Sequence, residues 1–210
     1  IAKPARVERA AIPEVAGSID SRKCLTPSQQ AVYDDYTKLL LPREEWPLET
    51  MKACHTVPPE QEPQMAKALL RSKMGILILE SEIPVRPDSK KLVGGLFAID
   101  HKLLFDRLIQ DRRTLNEIEV HLGWVRLPHG SQFCQLLLEP HETVRGSADD
   151  LRTYFYHVQA PPGYTQFNAI GRKLSGRDLA EFGADPSRTY RVALQVMGMG
   201  GRNSFDFCQA

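Results

Sequence analysis

The stretch FDRLIQDRRTLN, residues 105–116, decides the fold more than any other part of the sequence. It overlaps a β-prone run at 104–111, and the run LFAI at 96–99 precedes it, directly after the pair Gly94-Gly95. A glycine pair is typical of a turn, and two β-prone runs joined by a short polar link predict a β-hairpin. The sequence therefore predicts a turn at the glycine pair followed by a hairpin.

Three arginines, Arg107, Arg112 and Arg113, lie within seven residues on this hairpin and its exit. The planar guanidinium group donates two parallel hydrogen bonds, which suits a phosphate ligand. A solvated strand edge with an Asp–Arg pair would give the same pattern without any ligand. The spacing alone favours this second interpretation.

Other elements follow from periodicity and capping signals. Thr26-Pro27-Ser28-Gln29 is a helix-start signature, and the helix should continue until Pro42. We further predict helices at 64–73, 132–138, 151–157, 175–182 and 203–210, and strands at 74–79, 142–150 and 189–197. These elements predict an α+β fold with a helical N-terminal arm and a proline-rich linker, residues 1–73, and a second part, residues 74–210.

Composition limits the function classes only weakly. Lys and Arg number 27 against 26 Asp and Glu, a net charge of +1, so the overall charge gives no support for nucleic-acid binding and only local clustering could. The apolar runs are much shorter than the roughly 20 residues that cross a bilayer, and we expect no membrane-spanning segment. The chain begins at Ile1 rather than Met, and we expect a processed or trimmed piece.

The four cysteines stand far apart and none forms a C-x-x-C pair, which argues against a closed zinc site. Their spacing leaves a disulfide open but favours reduced thiols, and hence an intracellular, reducing compartment.

Two further stretches carry residues suited to chemistry. Asp149 and Asp150 are adjacent carboxylates followed by aromatic residues, a pattern that suits a hard cation such as magnesium. The simpler interpretation, which the local sequence favours, is that one of them caps the next helix. In VMGMGGRNSFDFCQ, residues 196–209, a predicted strand enters a glycine-rich turn and then a helix. Such a turn allows close approach of a ligand or simply joins two elements.

The order and spacing of these stretches resemble reverse transcriptases of the retrotransposon polyprotein type. The resemblance covers about two thirds of the chain, from residue 74 onwards. It rests on GLFAIDHK (95–102), DRLIQDRRTLNEIE (106–119), RLPHGSQFCQLLLEP (126–140), VRGSADDLRTYFY (144–156), FNAIGRKLSG (167–176) and YRVALQVMGMGGRNSFDFCQ (190–209). It implies a polymerase-like fingers hairpin and an incomplete palm sheet.

The resemblance also implies roles for individual residues of the hairpin and the acidic pair. Arg107, four residues before the Asp of the D-x-R-x-L-N phrase, would contact nucleotide phosphates, as would Lys102 on the preceding strand. Asp150 would be a catalytic metal ligand with Asp149 beside it. Phe155, five residues after Asp150, would be the steric gate that excludes a ribose 2′-hydroxyl.

In the glycine-rich stretch, Gly200, Ser204 and Gln209 match positions that support the templating base and the nucleotide sugar. The chain departs from the family at Gly198, where proline is usual, and at Asp206, where a small apolar residue is common.

Reverse transcriptases use two magnesium ions, most of whose remaining ligands come from a later Tyr-x-Asp-Asp hairpin, and no such motif occurs in this sequence. We therefore expect magnesium only if the ancestral site is functional, and no polymerase activity from this chain alone. Two hypotheses stay open: a piece of a reverse transcriptase that contacts RNA or DNA, or a non-catalytic, retroelement-derived subunit of a larger assembly. An incomplete palm also predicts other protein chains as partners.

Overall fold

A computed structural model describes residues 2–49, 51–125, 129–149 and 151–209. Its helices are α1 (Pro27–Tyr33), α2 (Glu62–Arg71), α3 (Arg113–Asn116), α4 (Tyr154–His157) and α5 (Ser204–Gln209). Its strands are β1 (Gly75–Leu79), β2 (Gly95–Asp100), β3 (Asp106–Asp111), β4 (Ala169–Ser175) and β5 (Thr189–Leu194). The prediction of mixed helix and strand is confirmed.

Short 3-10 helices connect these elements in several places. They span Ser21–Cys24, Tyr36–Leu39, Arg43–Glu45, Pro59–Gln61, Glu80–Glu82, Gly130–Gln135, Thr165–Phe167 and Gly176–Phe182.

The strands form two antiparallel sheets. Strands β2 and β3 make the predicted hairpin, in which Phe97 lies opposite Ile109. The second sheet has the order β1-β5-β4, with Leu77 opposite Val192 and Ile170 opposite Val192 on its other side. The two sheets meet where Gly94 bridges Ile170, and this contact fixes the hairpin against β4.

The largest apolar core lies between α2, the three-stranded sheet and the hairpin. It includes Met65, Leu69, Leu108, Tyr156 and Leu194, all nearly inaccessible to solvent. Ala5 and Ala16 from the N-terminal arm belong to the same core. Burial of these apolar groups is the main favourable term in folding.

Several element boundaries differ from the sequence-based predictions. The helix that begins after Thr26 has the predicted capping box but ends at Tyr33, because the Asp35 side chain accepts from Thr37 N and starts a new 3-10 turn. The turn predicted at Gly94-Gly95 is wrong: Gly95 begins β2, and Gly94 N donates to Ala169 O.

The prediction of a strand at 142–150 is also wrong for residues 142–149, which carry no regular structure and are exposed. No described strand lies beside them to pair with their backbone. The helix predicted at 132–138 is a 3-10 helix, Gly130–Gln135.

No helix in the described part of the chain is both long enough and apolar enough to span a bilayer. Cys24, Cys54, Cys134 and Cys208 are free thiols.

Candidate functional site

The hairpin presents the two predicted phosphate contacts near its tip. Arg107 lies on β3 opposite Ile99, is partly exposed, and its guanidinium is 3.3 Å from His101 Nδ1. Lys102 is exposed on the connection between β2 and β3. The structure therefore places both candidates at the same end of one hairpin.

The N-terminal arm adds two cations to this end. Arg9 donates to both carboxylate oxygens of Asp106 at 2.8 and 2.9 Å, and Lys3 pairs with Asp100. The hydrogen bond from Arg9 lowers the pKa of Asp106. With both carboxylates neutralised in this way, the charges of Arg107 and Lys102 remain as a local positive excess.

The two arginines that follow the hairpin, Arg112 and Arg113, differ in their exposure to solvent. Arg113 is exposed and pairs with Asp111 at 2.6 Å, which agrees with the strand-edge interpretation. The Arg112 side chain is fully buried and donates to Glu119 Oε1 at 2.7 Å and to Tyr36 OH at 3.2 Å. Its guanidinium also lies 4.2 Å from the ring centroid of Tyr164.

Burial alone would lower the pKa of Arg112, but the combined interactions with Glu119, Tyr164 and Tyr36 outweigh it and raise that pKa. Burial also raises the pKa of Tyr36, whose hydroxyl donates to Glu119. Arg112 and Glu119 therefore form a buried ion pair, and the neutral hydroxyl group of Tyr36 is hydrogen-bonded to both side chains.

Asn168 extends this network to β5. Its Nδ2 donates to Leu194 O at 2.9 Å, which fixes the direction of its amide. Its Oδ1 accepts from Arg112 Nε at 2.9 Å and from Gln110 Nε2 at 2.6 Å. The orientation of Gln110 is thereby fixed as well, and its Oε1 is left buried without a hydrogen-bond partner among the described residues.

The hairpin exit and the glycine-rich turn are bonded directly to each other. Asn116 Nδ2 donates to Gly200 O at 2.8 Å, and Arg202 N donates to Asn116 Oδ1 at 3.0 Å. A methyl group on Gly200 would overlap Gln110 O, so glycine is required there for close packing. We call residues 110–119 and 198–203 the joint.

Helix α5 follows the joint and holds the chain that enters residues 126–153. Asp206 Oδ1 accepts from Trp124 N at 2.6 Å and from Val125 N at 3.2 Å. Asn203 Nδ2 donates to Val120 O, and Asn203 Oδ1 accepts from Leu122 N. The side-chain amide thus replaces the backbone of a neighbouring strand. Asp206, which departs from the reverse-transcriptase pattern, therefore has a local structural role.

The same helix holds the chain where it leaves that region. Phe155 packs edge-on against Phe205, with ring centroids 5.2 Å apart, and Tyr154 OH donates to Cys208 O at 2.6 Å. Tyr156 is fully buried and its hydroxyl donates to Leu108 O. Phe155, the predicted steric gate, thus packs against Phe205 of α5. Phe205 lies five residues after Gly200.

The acidic pair is only half described. Asp150, the predicted catalytic metal ligand, lies outside the described residues. Asp149 is exposed on an irregular stretch and is not the cap of α4, whose preceding residue is Thr153. Gln209, at the end of α5, is also exposed.

No group of three or more potential metal-ligating side chains occurs in residues 2–49, 51–125, 129–149 and 151–209. Asp149 alone does not fit a two-ion site, because each hard cation needs several oxygen ligands. The magnesium prediction thus depends on Asp150 and stays a prediction.

Sequence reasoning missed a second buried polar cluster. His55 Nδ1 accepts from Leu96 N at 3.1 Å, so its proton lies on Nε2, which donates to Glu62 Oε2 at 2.8 Å. Glu62 also accepts from the backbone and side chain of Arg172. These hydrogen bonds outweigh the effect of burial and lower the pKa of Glu62. No local pattern links residues 55, 62, 96 and 172 in the sequence.

The comparisons with known proteins add no family assignment. No family model matches the chain, and no curated protein matches it with significance.

Proposed function

We propose that this chain is a reverse-transcriptase-like module, comprising a fingers hairpin and part of a palm, that contacts a nucleic-acid phosphate backbone but does not extend a primer alone. The observation that carries the proposal is the joint. Two stretches on which the resemblance rests, about 80 residues apart in sequence, are bonded through Asn116 and Gly200 into one unit.

The charge at the hairpin tip supports the nucleic-acid contact. Arg107, Lys102, Lys3 and Arg9 lie around it, and Asp100 and Asp106 are paired with the last two. Arginine and lysine side chains that contact phosphates release counterions, which makes binding depend strongly on salt. This local excess of positive charge at the hairpin tip can attract phosphate groups even though the net charge of the whole chain is only +1.

The absence of a Tyr-x-Asp-Asp motif from the sequence supports the second half of the proposal. Two-metal phosphoryl transfer needs carboxylates that hold both ions in fixed positions. We therefore expect no primer extension by the purified chain with magnesium and deoxynucleotides.

A binding measurement tests the first half. We expect a labelled primer–template to bind the intact chain at low salt, with affinity falling as salt rises. Replacing one phosphate contact, Arg107→Ala, should weaken binding and reduce the slope of log affinity against log salt by about one. The matched control is Arg177→Ala, an exposed arginine outside the hairpin, which should leave affinity unchanged.

Two outcomes would refute this function. One is the absence of salt-dependent binding, and the other is an equal effect of the Arg107 and Arg177 substitutions. Either result would favour the alternative, a non-catalytic, retroelement-derived subunit of a larger protein assembly. The exposed leucines of residues 136–138 are the specific observation in favour of that alternative.

A further inference from the structure

Residues 129–149, here called the exposed segment, carry the most unusual surface of the molecule. All of them are exposed, and they include a cluster of large apolar side chains: Phe133 is 75% exposed, Leu136 53%, Leu137 94% and Leu138 51%. Soluble proteins rarely leave such a cluster uncovered unless it meets a partner. The first three side chains have the i, i+3, i+4 spacing of segments that dock into grooves.

A surface groove of about 450 Å³ has a volume typical of sites that take a compact ligand. Its walls combine apolar and aromatic groups with two cations. Tyr33, Pro161 and Pro162 supply the apolar part, and Arg22 and Lys73 the positive charge. Asp20 also lines this groove, 3.8 Å from the Lys23 ammonium.

Lys73 occupies a backbone position that normally belongs to glycine. Helix α2 ends in a Schellman motif, in which Met74 N donates to Leu69 O and Lys73 N to Leu70 O. Lys73 has the left-handed φ of 60° that this motif requires. A side chain in this conformation costs stability that glycine would not, and Lys73 is an exposed part of the groove wall.

The charges of segment and groove are complementary. Glu139 directly follows the apolar cluster, Glu142 lies three residues further on, and both are exposed. In the groove, Arg22 already shares its charge with Asp34 at 2.6 Å, whereas Lys73 is exposed at the rim. An apolar segment followed by carboxylates therefore fits an apolar groove with a cationic rim.

We propose that the groove binds the Phe133–Leu138 part of the exposed segment from a second copy of this chain, with Glu139 placed near Lys73. The groove lies beside the exit of the same segment, where His157 contacts Ser18 at 3.2 Å and Gln159 donates to Gly17 O at 2.8 Å. Two copies can therefore exchange segments reciprocally and close a two-fold dimer. The proposal is independent of any contact with nucleic acid.

Sedimentation equilibrium of the intact chain over a wide range of concentration tests the proposal. We expect a monomer–dimer equilibrium that Leu137→Ser weakens by roughly ten- to a hundredfold. The matched control is Leu103→Ser, which removes a leucine that is 92% exposed on the hairpin connection and should leave the equilibrium unchanged.

A second variant separates binding from folding. Lys73→Gly should weaken the dimer by about two- to fivefold, because it removes one exposed ion pair. Its thermal stability should stay the same or rise, because glycine suits the left-handed position. A lysine with only a structural role would leave the dimer constant unchanged.

Thiol cross-linking distinguishes a second copy from closure of the segment within one chain. Under mild oxidation, Thr165→Cys in the groove should form a disulfide with Cys134 of the other copy, and Cys134→Ser should abolish it. The proposal is overturned by a monomer at all concentrations, by an intrachain disulfide, or by equal effects of Leu103→Ser and Leu137→Ser.

Discussion

The joint and the exposed segment are neighbours along the chain but differ in almost every physical respect. In the joint, Arg112 and Glu119 are buried and paired with each other, and Gly200 packs closely against the backbone of Gln110. In the exposed segment, apolar side chains such as Leu137 face solvent. The difference teaches that contacts within the chain fix the side chains of the joint, whereas the apolar side chains of the exposed segment lie in solvent.

The largest expected effect comes from Arg112→Met in the joint. It leaves the Glu119 carboxylate buried without its charge partner, which costs about 3–5 kcal/mol in similar sites. The measurement is the free energy of unfolding by denaturant. Arg145→Met in the exposed segment is the control and should change it by less than about 0.5 kcal/mol.

A second variant, Arg112→Met with Glu119→Leu, removes both charges and should recover much of the loss. If the single Arg112 variant is as stable as the Arg145 control, the buried Arg112–Glu119 pair does not stabilise the joint.

A pair of glycine substitutions compares the same chemical change in both regions. Gly200→Ala introduces a methyl group that overlaps Gln110 O, and the resulting shift should cost about 1–3 kcal/mol. Gly146→Ala meets no atom within 4 Å, so it should be neutral or stabilise by about 0.4–1 kcal/mol. Thermal unfolding of both variants measures the difference, and equal midpoints would contradict the close packing at Gly200.

The smallest expected effect is a pH dependence from Glu62. Its pKa is lowered in the folded state, so its contribution to stability is present above its ordinary value of 4.5 and is lost as the pH falls below that value. Glu62→Gln removes the titrating carboxyl group and should flatten the acid limb of the stability curve. Glu139→Gln in the exposed segment should leave that limb unchanged.

Local signals in the sequence predicted a large part of the fold. The capping box at Thr26, the hairpin and the strand β5 depend on neighbouring residues, and all three are present. The strand expected at residues 142–150 is absent from residues 142–149, because a strand is stable only when another strand pairs with it and no described strand lies there.

The site was harder to predict because its key contacts are long-range. The sequence singled out Arg112 only as one of three arginines, and its burial depends on Glu119, Tyr36 and Asn168 together. Asp206 was noted as a departure from a family pattern, yet its role is to accept from Trp124 N and Val125 N. No spacing rule connects residues that meet only after folding.

Helix α5 holds both ends of the region between residues 126 and 153, through Asp206 on one side and Phe205 with Cys208 O on the other. Because its ends are fixed to the same short helix, this region can change in length at little thermodynamic cost, since loop-closure entropy grows only slowly with the number of residues. Insertions and deletions between residues 129 and 149 should therefore cost little folding stability. The surface that this region presents can change without a change in how the rest of the chain folds.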